Sequence, residues 1–280
     1  MTRLLVAGIS VVDYVHRMDA LPRGGAKFRS RAFERIGGGC AANAAVGAAR
    51  LGASVTLVTR LGADAAGDEL ATMLEGAGVA LRAPRGGRQP LSSIMIDGAG
   101  ERMIVNYPGA DLPDAPPDLP DFDAALVDVR WPAAATAVLR LARARGRPSV
   151  VDGERFTPPA TAALATHVVF STQGLADFTG VADPDESLAR AAARLPGRTA
   201  YTDGAAGVVW ANGPRVPAPS VRAVDTLGAG DLWHGAFALA LGRGDTLEDA
   251  SRFANLAAAI KCTRAGGWDV YPTAAELEEA

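Results

Sequence analysis

Apolar runs of strand length alternate with longer helical stretches along most of the chain. RLLVAGI near the start, AALVDV at 124–129 and THVVFST at 166–172 are nearly continuous in apolar residues, which is typical of strands buried on both faces. Helical stretches lie between such runs, and GCAANAAVGAARLGA carries a helix stop signal at Gly52. This alternation predicts an α/β fold, with a doubly wound, mostly parallel central sheet flanked by helices.

Two segments, at about 11–36 and 91–107, break this rhythm. Polar and apolar residues alternate in KFRSRAFERI and in SSIMID and ERMIVNY, as expected of half-exposed strands. DGAGER, between the last two strands, is typical of a hairpin turn. We therefore predict a small antiparallel β lid that projects from a single domain spanning residues 1–280. Exposed lid strands can pair with those of a second copy, so we expect a homodimer formed through the lid.

One stretch, VDTLGAGDLWHGAFALAL at 224–241, combines carboxylates, bare backbone and an apolar helix. Gly228, Ala229 and Gly230 leave the backbone accessible where the helix begins, and free N–H groups at a helix N-terminus bind anions such as phosphate. The apolar run predicts a buried helix whose start faces an interior cleft. A first-turn aspartate is common for dipole reasons alone, but beside an anion site in a cleft Asp231 is a candidate base for phosphoryl transfer. We expect the helix dipole to lower its pKa and keep it ionised at neutral pH.

Four common catalytic and nucleotide-binding motifs do not occur where they would be expected. The chain has no G-x-x-x-x-G-K-[ST], no G-x-S-x-G and no H-E-x-x-H, and GISVVDYV rather than G-x-G-x-x-G follows the first strand. The three histidines, His16, His167 and His234, are scattered and make a poor metal site. We interpret His234 as a packed or hydrogen-bonded core residue. The two cysteines, Cys40 and Cys262, form no disulfide framework, and we expect both in the core.

Five segments carry a resemblance to a known family. DTLGAGD and the apolar helix after it resemble the C-terminal signature of the ribokinase-like, or phosphofructokinase-B-type, carbohydrate kinases. GGGCAANAAVGAARLGA resembles the first signature of that family, and RLGADAAGDEL, YTDGAAGVVW and RFANLAAAIKCTRAGG resemble further segments of it. The matches follow the family order over nearly the whole chain.

The resemblance implies an ATP-dependent sugar kinase and a role for each matching residue. Asp231 is the implied base, and the amides of Gly228, Ala229 and Gly230 form the implied anion hole. The other implied residues are Asp13, Gly38, Gly39 and Asn43 for sugar hydroxyls, Thr202, Gly204 and Gly207 for the nucleotide, and Asn255 near the adenine. Family members use MgATP.

Two questions about metal ions stay open at this point. The resemblance implies that Asp225 lies near a monovalent cation such as K⁺, whereas the residue alone is equally typical of a turn cap. STQG, at 171–174, stands where the family often carries an N-x-x-E segment that helps to organise magnesium. We therefore assign no Mg²⁺ ligand, since Mg²⁺ can be held through water and the nucleotide phosphates.

Lys27, Asn106 and Arg130 are the candidate residues for substrate selection. Together with VNYPG, DVRW and KCTRAGG, they resemble one branch of the family, the sulfofructose kinases of sulfoquinovose breakdown. In that branch the matching residues bind the sulfonate of 6-deoxy-6-sulfofructose, whose C1 hydroxyl is phosphorylated. An ammonium, a guanidinium and an amide suit a tetrahedral oxyanion. Without the resemblance, Lys27 would be interpreted as a solvated lid residue and Arg130 as a surface partner of Trp131.

Other substrates and one other class of protein stay open. A C6 phosphate presents similar oxygens, so fructose 6-phosphate and tagatose 6-phosphate are the alternative substrates, followed by neutral ketoses and ribose. A sugar-binding sensor without catalysis is the alternative class. The net charge of −3 favours neither a nucleic-acid nor a membrane partner. No stretch is apolar over a bilayer-spanning length, and we expect a cytoplasmic protein.

Overall fold

The computed structural model describes residues 1–280. In chain order its strands and helices are β1 (Arg3–Ala7), β2 (Val11–Arg17), β3 (Ala32–Gly38), α1 (Cys40–Arg50), β4 (Ser54–Val58), α2 (Ala65–Gly76), β5 (Ala80–Arg82), β6 (Leu91–Ile96), β7 (Arg102–Tyr107), β8 (Ala124–Val127), α3 (Pro132–Ala144), β9 (Ser149–Gly153), α4 (Pro159–Ala162), β10 (His167–Ser171), α5 (Thr172–Thr179), α6 (Pro184–Arg194), β11 (Arg198–Thr202), β12 (Val208–Trp210), β13 (Arg215–Val216), α7 (Ala229–Arg243), α8 (Leu247–Cys262) and α9 (Ala274–Glu278). Short 3-10 turns occupy Gly204–Ala206 and Trp268–Val270.

The larger sheet has nine strands in the order β13-β12-β11-β10-β9-β8-β1-β4-β5. From β11 to β5 all neighbouring strands are parallel, while β12 and β13 add an antiparallel edge. Helices α1, α2, α7 and α8 pack on one face, and α3, α5 and α6 pack on the other. The strands are therefore buried on both sides, which accounts for their continuous apolar sequences. This arrangement confirms the predicted doubly wound, mostly parallel sheet.

A second sheet of four strands, in the order β3-β2-β6-β7, covers one end of the larger sheet and is called the lid below. Its two outer pairs, β2–β3 and β6–β7, are antiparallel, whereas the central pair β2–β6 is parallel. The parallel pair follows from the connection, because α1, β4, α2 and β5 all lie between the two strands in the chain. One face of the lid stays open, since every residue of β7 is exposed.

The first lid segment differs from its prediction at one end. Strand β3 begins at Ala32, and residues 18–31 form an irregular connection rather than a strand. Lys27 lies in this connection and is exposed. The alternation in KFRSRAFERI therefore marks a strand only in its second half, where the chain pairs with β2.

Helix α7 is the buried helix that the glycine-rich motif predicts. All nine residues from Leu232 to Ala240 are buried, because the helix lies between α1, α8 and the sheet. Its N-cap, Gly228, has a φ of 72°, a left-handed conformation that favours glycine. A Cβ at Gly228 would also lie 2.3 Å from Oη of Tyr271. Glycine is thus required here on two independent grounds. No helix of the chain has both the length and the apolar character needed to span a membrane.

Candidate active site

Asp231 lies in the first turn of α7 and is held by α1. Its Oδ2 accepts a hydrogen bond of 2.7 Å from Nδ2 of Asn43, and Oδ1 of Asn43 accepts one of 2.7 Å from Nε1 of Trp268. The resemblance assigned Asn43 to a sugar hydroxyl. In the structure its amide is engaged at both ends and orients the Asp231 carboxylate, so a sugar contact would have to share or replace one of these bonds.

The pKa of Asp231 differs from the expectation. Burial, followed by repulsion from the Asp152 carboxylate, raises the pKa of Asp231 from 3.8 to about 7, although the Asn43 hydrogen bond opposes the shift. The prediction of a lowered pKa is therefore wrong, because desolvation and like charge outweigh the helix dipole. A carboxyl with a pKa near neutrality is a stronger base than an ordinary aspartate.

Three further carboxyl groups form an acidic cluster here, and the sequence analysis did not select them; two of them, Asp152 and Glu154, repel the Asp231 carboxylate, and Asp128 is repelled by Glu154. Asp128 follows β8, Asp152 lies near the end of β9, and Glu154 directly follows β9. Asp128 accepts hydrogen bonds from three backbone N–H groups, those of Ile9, Ala41 and Arg130, at 2.8, 3.1 and 2.8 Å. Burial nevertheless raises its pKa to about 6. The signal that could have revealed Asp152 and Glu154 is VVDGE, which places two carboxylates at the carboxyl end of a buried parallel strand.

Asp152 and Glu154 also offer ligands for a divalent cation. With the Cys40 thiol they form a group whose ligand atoms all lie within 4.8 Å of one another. Mg²⁺ prefers oxygen ligands and commonly binds one or two carboxylates together with nucleotide phosphates, whereas a thiolate suits softer metals. The two carboxylates therefore fit magnesium. In STQG, Oγ of Ser171 accepts a hydrogen bond from the Gly174 N–H at 3.0 Å and caps α5.

The turn before α7 is closed by local hydrogen bonds. Oδ1 of Asp225 accepts a 2.9 Å hydrogen bond from the Leu227 N–H. Asp225 therefore caps the turn, which is one of the two roles that the sequence analysis considered for it. The Ala229 N–H donates to the carbonyl oxygen of Thr226 at 3.3 Å. Of the three amides in the implied anion hole, that of Ala229 is therefore partly engaged in the turn itself.

A buried ammonium lies against the same turn. Lys261 is 0% exposed, and its Nζ donates to the carbonyl oxygen of Asp225 at 3.0 Å and lies 3.7 Å from Oδ1 of that residue. Burial lowers the pKa of Lys261, and the Asp225 carboxylate opposes this shift. A fixed positive charge thus lies close to Asp225, where the resemblance implied a bound monovalent cation.

A cavity of about 340 Å³ opens between the lid and the end of the larger sheet. Its walls include the β1–β2 connection, the start of α1, the residues after β4, and the end of β7. Gly39, Asn106 and Arg130, three of the predicted substrate-binding residues, line it. The lining also contains Arg60 but no aspartate or glutamate. The cavity is therefore suited in charge to an anionic ligand.

Asp13 and Gly38 lie at the border of this cavity. The Asp13 carboxyl is buried, Asp13 lies opposite the lining residue Ser92 in the β2–β6 pair, and burial raises the pKa of Asp13 to about 6. A Cβ at Gly38 would lie 2.0 Å from Oδ2 of Asp13, so the backbone approaches this carboxyl as only glycine allows. The structure thus places both residues next to each other beside the cavity lining.

The two basic residues of the predicted anion clamp have different positions. Nε and Nη2 of Arg130 both donate to Oε2 of Glu154, with a distance of 2.9 Å for Nε. The charge of Arg130 is therefore largely compensated within the protein. Lys27 lies on the exposed connection before β3 and does not line the cavity, which corresponds to the solvated lid residue considered from the sequence.

The predicted nucleotide residues lie together at the end of β11. Thr202 ends that strand, Gly204 begins the 3-10 turn after it, and Gly207, with a φ of 87°, leads into β12. Asn255, which the resemblance places near the adenine, has a side chain that is buried and fully engaged. Its Oδ1 accepts from Nε1 of Trp233 at 2.7 Å, while Nδ2 donates to the carbonyl oxygens of residues 216 and 217 at 2.9 and 3.1 Å. These bonds use both N–H groups of the Asn255 amide, so neither is left to donate to an adenine. They link α8 to α7 and to the end of β13.

His234 is buried and hydrogen-bonded, as interpreted from the sequence. Its Nδ1 lies 2.9 Å from the Gly230 carbonyl oxygen, and its Nε2 lies 3.1 Å from that of Val169. The expectation of two core cysteines is wrong for Cys40. This residue is partly exposed and lines the cavity, because it is the first residue of α1, and its Sγ donates to Oε1 of Glu154 at 3.2 Å. Cys262 is also only partly buried, so the expectation of a core position is wrong for it as well.

Comparisons with known proteins agree with this arrangement. A family model described as pfkB family carbohydrate kinase matches residues 1–274. The ribokinase of Bacillus subtilis (strain 168) is 28% identical, over 100% of this chain and 99% of that protein. A candidate ribokinase from Agrobacterium tumefaciens has a crystal structure that aligns with a TM-score of 0.93 and 36% identity, covering 99% of this chain and 96% of that one. The ribokinase of Cryptococcus neoformans var. grubii serotype A, solved in complex with ADP, aligns with a TM-score of 0.82 and 26% identity, over 99% and 98% of the two chains.

Proposed function

The chain belongs to the pfkB family of carbohydrate kinases and is an ATP-dependent kinase, and we propose that its acceptor is the C1 hydroxyl of a ketose with an anionic group at C6. The specific substrate that we propose is 6-deoxy-6-sulfofructose, which would give the 1-phosphate. The observation that carries the proposal is the cavity lining, which contains no carboxylate and includes Arg60, a cation whose nearest carboxylate, Asp114, lies 3.7 Å away and is 81% exposed. A neutral sugar would not require this cation.

Asp231 is the proposed general base. Its pKa of about 7 leaves a large ionised fraction at neutral pH and makes the carboxylate basic enough to accept the hydroxyl proton. The hydrogen bond from Asn43 fixes which way the carboxylate points. The backbone at Gly228 and Gly230 supplies donors for the charge that develops on the transferred phosphoryl group.

We propose Asp152 and Glu154 as the residues that hold magnesium, because they supply the oxygen ligands that STQG lacks. Bound Mg²⁺ would neutralise phosphate charge during transfer. For the monovalent cation we favour the alternative in which none is needed, since the Lys261 ammonium already lies against Asp225.

A substrate panel tests the proposed function. ADP release would be measured with saturating MgATP on 6-deoxy-6-sulfofructose, fructose 6-phosphate, tagatose 6-phosphate, fructose and ribose. We expect kcat/KM to be at least ~10² higher for a C6-anionic ketose than for fructose, as charge-assisted contacts to the anion would give. Phosphorus NMR of the product would locate the new ester at C1. A preference for fructose or ribose would refute the proposal.

The second candidate is a kinase of neutral sugars such as ribose. It is favoured by one observation, the full-length similarity to a ribokinase. The third is a sugar-binding sensor, which the same panel identifies if a sugar binds tightly and none is turned over. The retained Asp231, with its raised pKa and its hydrogen bond from Asn43, argues against a sensor.

A further inference from the structure

Two buried hydroxyl groups beside the cavity lack any partner. Oγ of Ser10 and Oγ1 of Thr59 make no hydrogen bond, although the two residues are only 1% and 0% exposed. They are the only buried side-chain nitrogen or oxygen atoms of the chain without a partner, and both residues line the cavity. An unpaired buried hydroxyl lowers stability. Two of them in one wall therefore indicate a ligand that supplies the missing bonds.

Arg60, the residue after Thr59, brings a positive charge to the same wall. Its guanidinium lies over the ring of Trp131, with Cζ 5.1 Å from the centroid. Its acidic partner is distant: Nη1 lies 3.7 Å from Oδ1 of Asp114, a side chain that is 81% exposed. Nη2 makes one long bond, of 3.4 Å, to the Arg130 carbonyl oxygen.

The two cavity arginines are therefore not equivalent. Arg130 is bound to Glu154 through two nitrogens, so its charge is already compensated. Arg60 is partly buried without such a partner, and burial lowers its pKa, although an arginine stays protonated in proteins. The stacking on Trp131 holds its guanidinium plane in place while its nitrogens remain available.

We propose that Arg60, together with the hydroxyls of Ser10 and Thr59, binds the tetrahedral oxyanion of the sugar substrate. The ligand class is a sulfonate or a phosphate monoester, whose oxygens accept from a guanidinium and from hydroxyl groups at once. This inference rests on the proposed function, because it names the residues that select an anionic sugar. It replaces Lys27, which lies outside the cavity, as the main cation of the subsite.

The first test is Arg60→Gln, compared on a charged and on a neutral ketose. We expect the variant to raise KM for the anionic substrate by at least about tenfold, as the loss of one charge-assisted hydrogen bond predicts. The KM for fructose and the kcat on both sugars should change far less. Separate arms with 6-deoxy-6-sulfofructose and fructose 6-phosphate, and inhibition by inorganic sulfate and by inorganic phosphate, distinguish the two oxyanions.

Arg145→Gln is a matched control. Arg145 also lies over an aromatic ring, with Cζ 5.5 Å from the Phe122 centroid, and is paired with an aspartate, Asp121, at 3.3 Å. It does not line the cavity, so its replacement should leave KM for every sugar unchanged. Comparison of the two variants separates loss of stacking and ion pairing from loss of ligand binding.

Thr59→Val provides a second test that does not depend on charge. Because the hydroxyl has no partner in the protein, its removal should leave Tm unchanged or raise it, while KM for the anionic ketose rises. An equal KM increase on fructose and on the anionic ketose in Arg60→Gln, or no increase in either variant, would overturn the subsite. If the wild-type enzyme itself prefers neutral sugars, the proposed function fails instead.

Discussion

Asp231 lies close to Asp152 and Glu154, so its charge depends on theirs. A carboxyl with an ordinary pKa of 3.8 is ionised at any physiological pH, but with a pKa of about 7 Asp231 is close to half protonated near neutrality. Protonation of the Asp231 carboxylate removes the proposed base that accepts the proton of the acceptor hydroxyl. Turnover should therefore follow the titration of this carboxyl.

We expect kcat of the wild-type enzyme to fall as the pH is lowered through the pKa of Asp231, because this carboxylate then takes up a proton. Mg²⁺ held by Asp152 and Glu154 would offset their repulsion of Asp231, so the fall should lie at or below about pH 7. Asp231→Asn should lower kcat by at least ~10² and leave sugar binding nearly unchanged. Initial rates at saturating MgATP, measured as a function of pH, check both statements. Asp249→Asn is the control, since Asp249 also lies in the first turn of a helix, α8, but is exposed.

The same titration affects stability, with a defined sign. Between the unfolded pKa of 3.8 and the folded pKa of about 7, the folded chain binds a proton at Asp231 that the unfolded chain has released. The contribution of this carboxyl to the free energy of unfolding is thus fully present below pH 3.8 and is lost as the pH rises through about 7. Asp231→Asn, which keeps an acceptor for Asn43, should raise Tm at pH 8 by at least ~2 °C. A lower Tm would mean that the ionised carboxylate stabilises the fold.

At the scale of elements, α8 contacts the turn before α7 through the Lys261–Asp225 ion pair and through two backbone hydrogen bonds, which the N–H groups of Val224 and Asp225 donate to the Cys262 carbonyl oxygen at 2.7 and 3.2 Å. Lys261 is the only buried lysine of the chain, and the other lysine, Lys27, is exposed. The Lys261 ammonium donates a hydrogen bond to the Asp225 carbonyl oxygen, and the Asp225 carboxylate accepts one from the Leu227 N–H. The backbone that leads to Gly228 is therefore oriented by a charge at the end of α8.

We expect wild-type turnover to be the same with K⁺ as with a bulky organic cation, because Lys261 supplies the charge at Asp225. Lys261→Met should lower the free energy of unfolding by about 1–3 kcal/mol, since it removes the donor to the Asp225 carbonyl oxygen and the positive charge beside a partly buried carboxylate, and should lower kcat by displacing the turn. K⁺ or NH₄⁺ should then restore part of the activity. Kinetics in the presence of each cation, together with denaturant titration, check this.

Lys27→Met is the matched control and should change neither quantity, because that side chain is exposed on the irregular segment before β3. Strong activation of the wild-type enzyme by K⁺ would contradict the role of Lys261.

At the scale of the whole molecule, the lid presents an apolar surface that nothing in a single chain covers. Met103, Ile104, Val105 and Tyr107 of β7 and Phe33 of β3 are all exposed, and Ile104 and Val105 are 47% and 59% accessible. These strands are the two edges of the lid sheet. We propose that this surface forms the contact between two copies, since exposed apolar strands of this kind are otherwise prone to aggregate.

Light scattering coupled to size exclusion should therefore give twice the chain mass of 28.7 kDa. Ile104→Lys should shift the protein towards the monomer, because a charge on an apolar contact surface is poorly tolerated. Arg140→Glu, a charge change at an exposed position on α3 far from the lid in the chain, should leave the mass unchanged. A wild-type monomer at assay concentration would exclude this contact.

The central sheet was predictable from the sequence, because strands that are buried on both faces consist of nearly continuous apolar residues. The glycine motif likewise predicted the buried helix α7, because the glycines where the helix begins and the apolar run that forms it are adjacent in the sequence. Properties set by distant residues were not predictable. The raised pKa of Asp231 depends on Asp152, the engagement of Asn255 depends on Trp233, and the exposure of Lys27 depends on where β3 begins to pair. Arg60 was missed because nothing near it in the sequence marks it as a cavity residue.

The hydrogen bond between Asn43 and Asp231 joins residues that are 188 positions apart in the chain. During synthesis at ~5–20 residues per second, α1 emerges from the ribosome roughly ten to forty seconds before α7. In that interval the side of α1 that α7 will cover has no partner, and neither the base nor its orienting amide is in place. The growing chain therefore has no oriented catalytic carboxylate until α7 has been made.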